Sequence, residues 1–243
     1  MPAAYDEIAE WYDESVRAGG SLGDLVARCV LELIGDVAGQ QICDLACGQG
    51  LVARYLARRG ARVTGIDLSA LLLEAALRYE ETEPQGILYQ RGDVHALTEV
   101  PDARFEGVVC HLALMDIPDL GSTLRTVRRI LRPSGWFVFS ITHPCFQIPA
   151  SGRPDPDAAV PEAGGYFGEG FWRSDYQHGV RGKVGAYHRT LSSYLNALSD
   201  ASFILERLVE PQGASDTAGR LCAAGGAPKF LIVRARRGSP PLK

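Results

Sequence analysis

Short apolar runs alternate with amphipathic stretches through the middle of the chain. The runs have the length of strands, and the stretches repeat their apolar residues with the spacing of a helix. This alternation predicts a parallel sheet with helices packed against it. The predicted strands are 41–45, 62–66, 87–90, 107–114 and 136–142, and the predicted helices are 51–59, 71–81 and 120–131.

Both ends of the chain extend this pattern. Residues 5–16 and 22–34 predict two amphipathic helices before the first strand. A helix at 192–201 and strands at 204–209 and 229–234 follow later. The fold class is therefore α/β, with a mostly parallel seven-stranded sheet flanked by helices.

The turn after the first predicted strand carries an acid and two glycines. Asp44 stands near the end of the strand, and Gly48 and Gly50 lead into the next helix. Open parallel sheets bind ligands at this edge, and glycine lets the backbone approach a ligand closely. The next two strands end in Asp67 and Asp93, which are suited to ribose hydroxyls and an adenine amino group.

Two cofactors fit the glycines of this turn. Residues 48–53 satisfy the dinucleotide fingerprint G-x-G-x-x-[GA], so an NAD(P)-dependent Rossmann oxidoreductase is one interpretation. Asp44 favours the other, because a carboxylate there would repel a pyrophosphate. S-adenosylmethionine has no phosphate, and its sulfonium and ammonium both favour a nearby carboxylate.

The segment Asp44-Leu45-Ala46-Cys47-Gly48-Gln49-Gly50 resembles the D-x-x-C-G-x-G signature of class I S-adenosylmethionine-dependent methyltransferases. Asp67, Asp93-Val94 and residues 110–114 resemble the following motifs of that family in the same order. Residues 5–13 look like the first helix of its small-molecule branch. The resemblance covers roughly residues 5–143, and 188–234 more loosely, and it implies a Rossmann-like fold.

The resemblance also implies roles for particular residues. Asp67 would bind the ribose, Asp93 the adenine amino group, and the loop around Asp44 the methionine moiety. An N-terminal tyrosine would close over that moiety. Ala46 stands where glycine is common, which is tolerated if its φ is negative. The implied cofactor-binding residues are Tyr5, Tyr12, Asp44, Ala46, Gly48, Gly50, Asp67, Leu68, Asp93, Val94 and His111.

The candidate catalytic residue is His143. Methyl transfer needs a general base only when the acceptor atom holds a proton. His143 directly follows the fifth predicted strand, at the ligand edge of the sheet, and histidine titrates near neutral pH. The alternative is a histidine that bonds to the backbone and fixes the turn at Pro144.

Residues 144–187 combine many glycines and prolines with interleaved aromatic residues. Disordered linkers are poor in aromatic residues, so we expect an ordered cap. Its aromatic side chains either line a substrate cavity or form a small core of the cap itself. The candidate substrate-binding residues are Phe146, Phe167, Trp172, Tyr176 and His178.

These assignments give a single methyltransferase domain over residues 1–243. It comprises N-terminal lid helices (1–36), a cofactor-binding core (40–143), a cap insertion (144–190) and a C-terminal helix with strands (191–236). The expected reaction is methyl transfer from S-adenosylmethionine to an oxygen or nitrogen of a small molecule, with S-adenosyl-L-homocysteine as product. A third interpretation is a protein of this fold that uses the cofactor without methyl transfer.

Composition indicates which classes of binding partner and which cellular compartment to expect. The net charge of -4 disfavours nucleic acid and anionic membranes. The chain shows neither a signal peptide nor about eighteen consecutive apolar residues, so a cytoplasmic monomer or homodimer is expected. The 6 cysteines are scattered without a C-x-x-C pair, which favours reduced thiols over a metal site.

Overall fold

Strands of the computed structural model, which describes residues 3–17, 22–147, 165–211 and 227–239, form two sheets. The strands are β1 Gln41–Leu45, β2 Arg62–Asp67, β3 Leu88–Arg91, β4 Phe105–His111, β5 Leu131–Thr142, β6 Gly170–Trp172, β7 Ala186–His188, β8 Phe203–Val209 and β9 Phe230–Arg237. The larger sheet has 7 strands in the order β3-β2-β1-β4-β5-β9-β8, and β6 pairs with β7 in the smaller one.

Helices cover the sheet and begin at residues suited to capping. Ser69, Asp119 and Thr190 each accept a hydrogen bond from a backbone N–H of the first turn that follows. The helices are α1 Ala9–Arg17, α2 Leu22–Ile34, α3 Leu51–Arg58, α4 Ala70–Thr82, α5 Leu120–Ile130, α6 Val180–Lys183 and α7 Leu191–Asp200, with 3-10 turns at Asp6–Ile8 and Leu114–Asp116.

The central strands are mostly apolar because both of their faces are buried. On one face, Phe137 and Phe139 pack with residues of α5 and α7. On the other face, Ile42 and Val138 pack with residues of α2 and α3. Strands β1 to β5 are parallel where they pair, and β9 is antiparallel to both β5 and β8. The predicted fold class is confirmed.

Among the element boundaries that differ from the prediction, two have a local reason. Strand β5 begins at Leu131, so residues 132–135, predicted to end the helix in a loop, already belong to a strand with a register shift against β4. Strand β4 ends at His111 rather than at 114, because Leu112 adopts a φ of 52° and turns the chain out of the sheet. Residues 148–164 of the predicted cap lie outside the described residues.

Parallel pairing brings the ends of β1 to β4 to one edge of the sheet. Asp44 is in register with Gly65 of β2 and with Val109 of β4. The turns that follow these strands therefore meet at the edge where Asp44, Asp67 and Asp93 were predicted to converge.

Gly50 holds the turn between β1 and α3 in a left-handed conformation that favours glycine. Its φ is 86°, and a Cβ added there would overlap the hydroxyl of Tyr89. The ring of Tyr89 reaches this position by crossing Gly65, where a Cβ would lie 2.7 Å from the ring. The packing of Tyr89 thus depends on two glycines of neighbouring strand ends.

We expect Gly50→Ala to destabilise the protein by about 2–4 kcal/mol, since it combines a left-handed φ with steric overlap. Urea unfolding followed by circular dichroism measures the change. Gly39→Ala is the matched control, because Gly39 has a φ of 75° with no atom within 4 Å of an added Cβ. It should cost only about 1 kcal/mol. Equal costs at the two positions would show that the Tyr89 contact relaxes freely.

Candidate functional site

A cleft of about 180 Å³ opens at the edge where the strands end. Its walls come from the N-terminal segment, from the turns after β1, β2 and β3, and from the segment after β4. The cap contributes Phe171 and residues 184–186.

The loop after β1 is tied to the end of β2 by Asp67. Its Oδ2 accepts a hydrogen bond from the Gly48 N–H at 2.8 Å, and its Oδ1 accepts one from the Ser69 N–H at 2.8 Å. Burial raises the pKa of this carboxyl group, and the two backbone donors oppose that rise. A carboxylate has about four acceptor positions, so Asp67 keeps capacity for ligand hydroxyls.

From the sequence, Ala46 was expected to be tolerated at a negative φ, but its φ in the structure is 56°. A side chain in the left-handed region costs roughly 1–2 kcal/mol. Gly48 and Gly50, at 55° and 86°, meet the same demand without that cost. Ala46 also lines the cleft, so its methyl group is a strained part of the ligand-facing wall.

Asp44 lies at a recess of about 70 Å³ that shares Tyr12, Ala46, Gly48 and His111 with the cleft. The residue is 1% exposed, and its Oδ2 has no hydrogen-bond partner among the described residues. Burial raises the pKa of Asp44 to about 8; a backbone hydrogen bond from Ala53 opposes the rise and the charge of Asp67 adds to it.

Asp93 and Val94 follow β3, as predicted, and both line the cleft. Asp93 Oδ1 accepts a hydrogen bond from the His95 N–H at 3.0 Å and lies 2.8 Å from His95 Nδ1. The Asp93 side chain is 55% exposed, so its other oxygen remains accessible. Leu68, from the turn after β2, is an exposed apolar side chain in the same wall.

The N-terminal segment covers the cleft. Tyr5 and Tyr12 both line it, and their rings make an edge-on contact with centroids 5.2 Å apart. Asp6 Oδ1 accepts hydrogen bonds from Ser69 Oγ and from the Leu71 N–H, which dock the segment on the start of α4. Farther along, Tyr79 donates to Asp13 and fixes α1 on α4.

Asp116 is a cleft residue that the sequence reasoning missed. It lies in the 3-10 turn after β4, and it accepts a hydrogen bond from the Tyr5 hydroxyl at 3.0 Å. Its other oxygen forms an ion pair with Arg181 of the cap. Burial raises the pKa of Asp116, and Arg181 and Tyr5 oppose that rise. A lone acid among apolar residues 112–118, just after a strand, was the available signal.

The structure does not bring the five candidate substrate residues to the cleft. Phe167 and Tyr176 are 86% and 67% exposed, and Phe146 is 45% exposed. Trp172 packs against the main core, whereas its neighbour Phe171 lines the cleft, as alternation along β6 requires. His178 is exposed and lies beside Tyr176.

His143 lies outside the residues that line the cleft, and it is 2% exposed. Its Nδ1 accepts a hydrogen bond from the Cys145 N–H at 3.2 Å, so its proton resides on Nε2, which lies 2.8 Å from Glu210 Oε1. Both ring nitrogens are therefore occupied. This geometry matches the alternative of a histidine that fixes the turn at Pro144.

His111 lines both the cleft and the recess, as expected for a residue near the methionine moiety. Its Nδ1 lies 2.8 Å from Ser140 Oγ of β5. Across the described residues, no group of three or more His, Cys, Asp or Glu side chains could hold a metal ion. Over the same ranges, no helix is both long and apolar enough to cross a membrane.

Comparison with known proteins supports the resemblance predicted from the sequence. Residues 43–139 match the family model described as a methyltransferase domain. The ubiquinone biosynthesis O-methyltransferases of Alkalilimnicola ehrlichii and Albidiferax ferrireducens are 36% identical over 117 residues and 40% identical over 105 residues. These alignments cover 48% and 43% of this chain. The chain spans 46% and 42% of the lengths of those curated relatives.

A solved structure resembles this chain over a larger part of its length than the curated relatives do. The S-adenosylmethionine-dependent methyltransferase of Mesorhizobium loti is 29% identical, with a TM-score of 0.65. The alignment covers 87% of this chain and 96% of that one. Together with the matched domain, this likeness confirms the predicted family resemblance.

We expect Ala46→Gly to stabilise the protein by about 0.5–1 kcal/mol. The substitution removes left-handed strain of roughly 1–2 kcal/mol and loses part of that gain to the greater unfolded-state entropy of glycine. Urea unfolding measures the change. Ser134→Gly, at a φ of 61°, is the control for the backbone effect away from the cleft. Stabilisation at residue 134 with destabilisation at residue 46 would show that the packing of the Ala46 methyl group outweighs its strain.

Proposed function

We propose a function for the whole chain from two findings: residues 43–139 match the methyltransferase domain model, and the chain resembles a solved S-adenosylmethionine-dependent methyltransferase. The protein transfers a methyl group from S-adenosylmethionine to an oxygen or nitrogen atom of a small molecule. The printed names of the curated relatives, as O-methyltransferases, support oxygen as the acceptor atom.

The observation that carries this proposal is the unpartnered oxygen of Asp44. A buried carboxyl group without a donor is costly unless a ligand completes it. The recess beside Asp44 continues into the cleft, and the carboxyl group there favours a cationic ligand over an anionic one. The amino-acid end of S-adenosylmethionine carries such a cation, so the residues present fit this cofactor.

The remaining contacts follow from the same orientation. Asp67 would accept hydrogen bonds from the ribose with the acceptor capacity left beside Gly48 and Ser69. Asp93 and Val94 would hold the adenine, with Leu68 against its face. Ala46, Gly48 and His111 would surround the methionine moiety, with Tyr5 and Tyr12 above it. Gly50, predicted to take part, lines neither the cleft nor the recess and lies against Tyr89.

The bound cofactor would supply a methyl group already activated by its sulfonium. The chain must then align the acceptor with that methyl group and exclude water. The side of the cleft near β4 suits this task, because Tyr5, Asp116 and Phe171 close it from three separate segments. We therefore place the small-molecule acceptor on that side.

Two alternatives make different demands. A Rossmann oxidoreductase would bind NAD or NADP, and its pyrophosphate would meet Asp44 with no cation to favour the charged carboxylate. A protein that keeps the cofactor without methyl transfer would bind it equally well. Thermal shifts with each dinucleotide test the first alternative, and methylated product from an acceptor library tests the second.

We expect wild-type protein to bind S-adenosylhomocysteine with a Kd of about 1–100 μM in calorimetry. Asp67→Ala should weaken that binding by about tenfold to a hundredfold, because ribose hydroxyls lose their acceptor. Asp200→Ala, an exposed acid at the end of α7, is the control and should leave the Kd unchanged.

Asp67 also holds the β1 loop, so a second ligand separates its two roles. Methylthioadenosine keeps the ribose and lacks the amino-acid end. If Asp67 contacts the ribose, Asp67→Ala should weaken both ligands by a similar factor. Weakening of S-adenosylhomocysteine alone would assign Asp67 to loop positioning instead.

Binding of S-adenosylhomocysteine at pH 7 should release up to about one proton from Asp44. Its pKa in the free protein is about 8, above the ordinary 3.8, so the carboxyl group is mostly protonated at pH 7. The ligand ammonium favours the charged form and lowers that pKa. Affinity should therefore rise with pH and level off above about 8. Calorimetry in buffers of different ionisation enthalpy measures the release.

Asp44→Asn should abolish most of this proton release, since the amide does not titrate. Methylthioadenosine, without the ammonium, should release far fewer protons from wild-type protein. If the variant releases as many protons as wild type, another group titrates and Asp44 is not the cation-facing carboxyl.

A further inference from the structure

Three separate segments meet at the carboxyl group of Asp116. Tyr5 of the N-terminal segment donates its hydroxyl to Oδ2, and Arg181 of α6 in the cap pairs with Oδ1. The Arg181 guanidinium also donates to the Gly185 carbonyl oxygen at 3.0 Å, which fixes it to the cap residues of the cleft wall. Both side chains of the ion pair are largely buried, with 21% and 16% exposed.

The N-terminal segment cannot hold its position alone. Helix α1 has 9 residues and the turn before it has 3, and isolated helices of this length are unstable in water. One set of contacts, from Asp6 and Asp13, docks the segment on α4. The second set faces the cap and consists of Tyr5 with Asp116 and of the Trp11 ring with Lys183 Nζ, 4.9 Å away.

Arg181 acts at a distance from the cleft. Among the described residues, Tyr5 and Asp116 line the cleft and Arg181 does not. The charge of Arg181 nevertheless decides the state of Asp116, because a buried carboxylate without a cation is strongly disfavoured. Without Arg181, the carboxyl group would lose the cation that favours its charged form, and its hydrogen bond from the Tyr5 hydroxyl would weaken.

We propose that Arg181 is a positioning residue for the cofactor: through Asp116 it sets Tyr5 over the cleft, so that the cap controls how long the ligand is held. This inference rests on the proposed function, since it concerns the same site. It makes the cap and the N-terminal segment one closing unit joined at Asp116, rather than two independent covers.

A double-mutant cycle on the dissociation rate of S-adenosylhomocysteine tests the proposal. Stopped-flow fluorescence measures this rate for the full chain. Arg181→Met and Tyr5→Phe should each raise it by about tenfold, and the double variant should raise it by about the same factor rather than a hundredfold. Arg181→Lys, which keeps the cation, should raise the dissociation rate less than Arg181→Met does. Arg173→Met, an exposed arginine of the same cap, is the matched control and should change nothing.

Multiplicative effects of the two substitutions would overturn the proposal, because Arg181 and Tyr5 would then act independently. So would an Arg181→Met rate equal to that of the Arg173→Met control. If Arg181→Met does not fold, as judged by circular dichroism, the cycle is run with Arg181→Gln, which also removes the cation, under the same criterion. Absence of ligand binding to wild-type protein would instead contradict the proposed function, so the two failures are distinct.

Discussion

The bond between the Gly48 N–H and the Asp67 carboxylate joins the two turns on which the site is built. One turn follows β1 and the other follows β2, and parallel pairing alone brings them only side by side. The carboxylate fixes the Gly48 turn in a left-handed conformation and also caps the approach to α4 through Ser69. The N-terminal segment docks beside the second of these turns, through the hydrogen bonds from Ser69 and Leu71 to Asp6.

The charge argument for the cofactor changes once the burial of Asp44 is known. A carboxylate was expected to repel pyrophosphate and to attract a sulfonium and an ammonium. In the free protein the pKa of about 8 keeps that carboxyl mostly neutral at pH 7, so little field exists before binding. Asp44 then discriminates between the cofactors through the change in its pKa on binding. A nearby cation lowers that pKa and favours the charged carboxylate, whereas a nearby phosphate raises it and disfavours the charged form.

Sequence patterning predicted the sheet and the acids at its edge because both depend on local, periodic features. The apolar runs of β1, β4 and β5 and the order Asp44, Asp67, Asp93 are visible in one dimension. Ala46 shows where such reasoning ends, since the sign of its φ depends on how the loop meets Asp67. The cap shows it again: Phe171 and Trp172 are neighbours in a short strand, and only pairing with β7 decides which one faces the cleft.

The histidine after β5 was a candidate base because of its position and because histidine titrates near neutral pH, yet a general base needs a free ring nitrogen. Both nitrogens of His143 are engaged, one by a backbone N–H and one by Glu210. Asp116, in contrast, lines the cleft. It contacts Tyr5 and Arg181, which lie on two segments distant from it in the chain. A group assembled in this way leaves no compact motif, so the acceptor side of such a protein can only be recognised once its cap is folded onto its core.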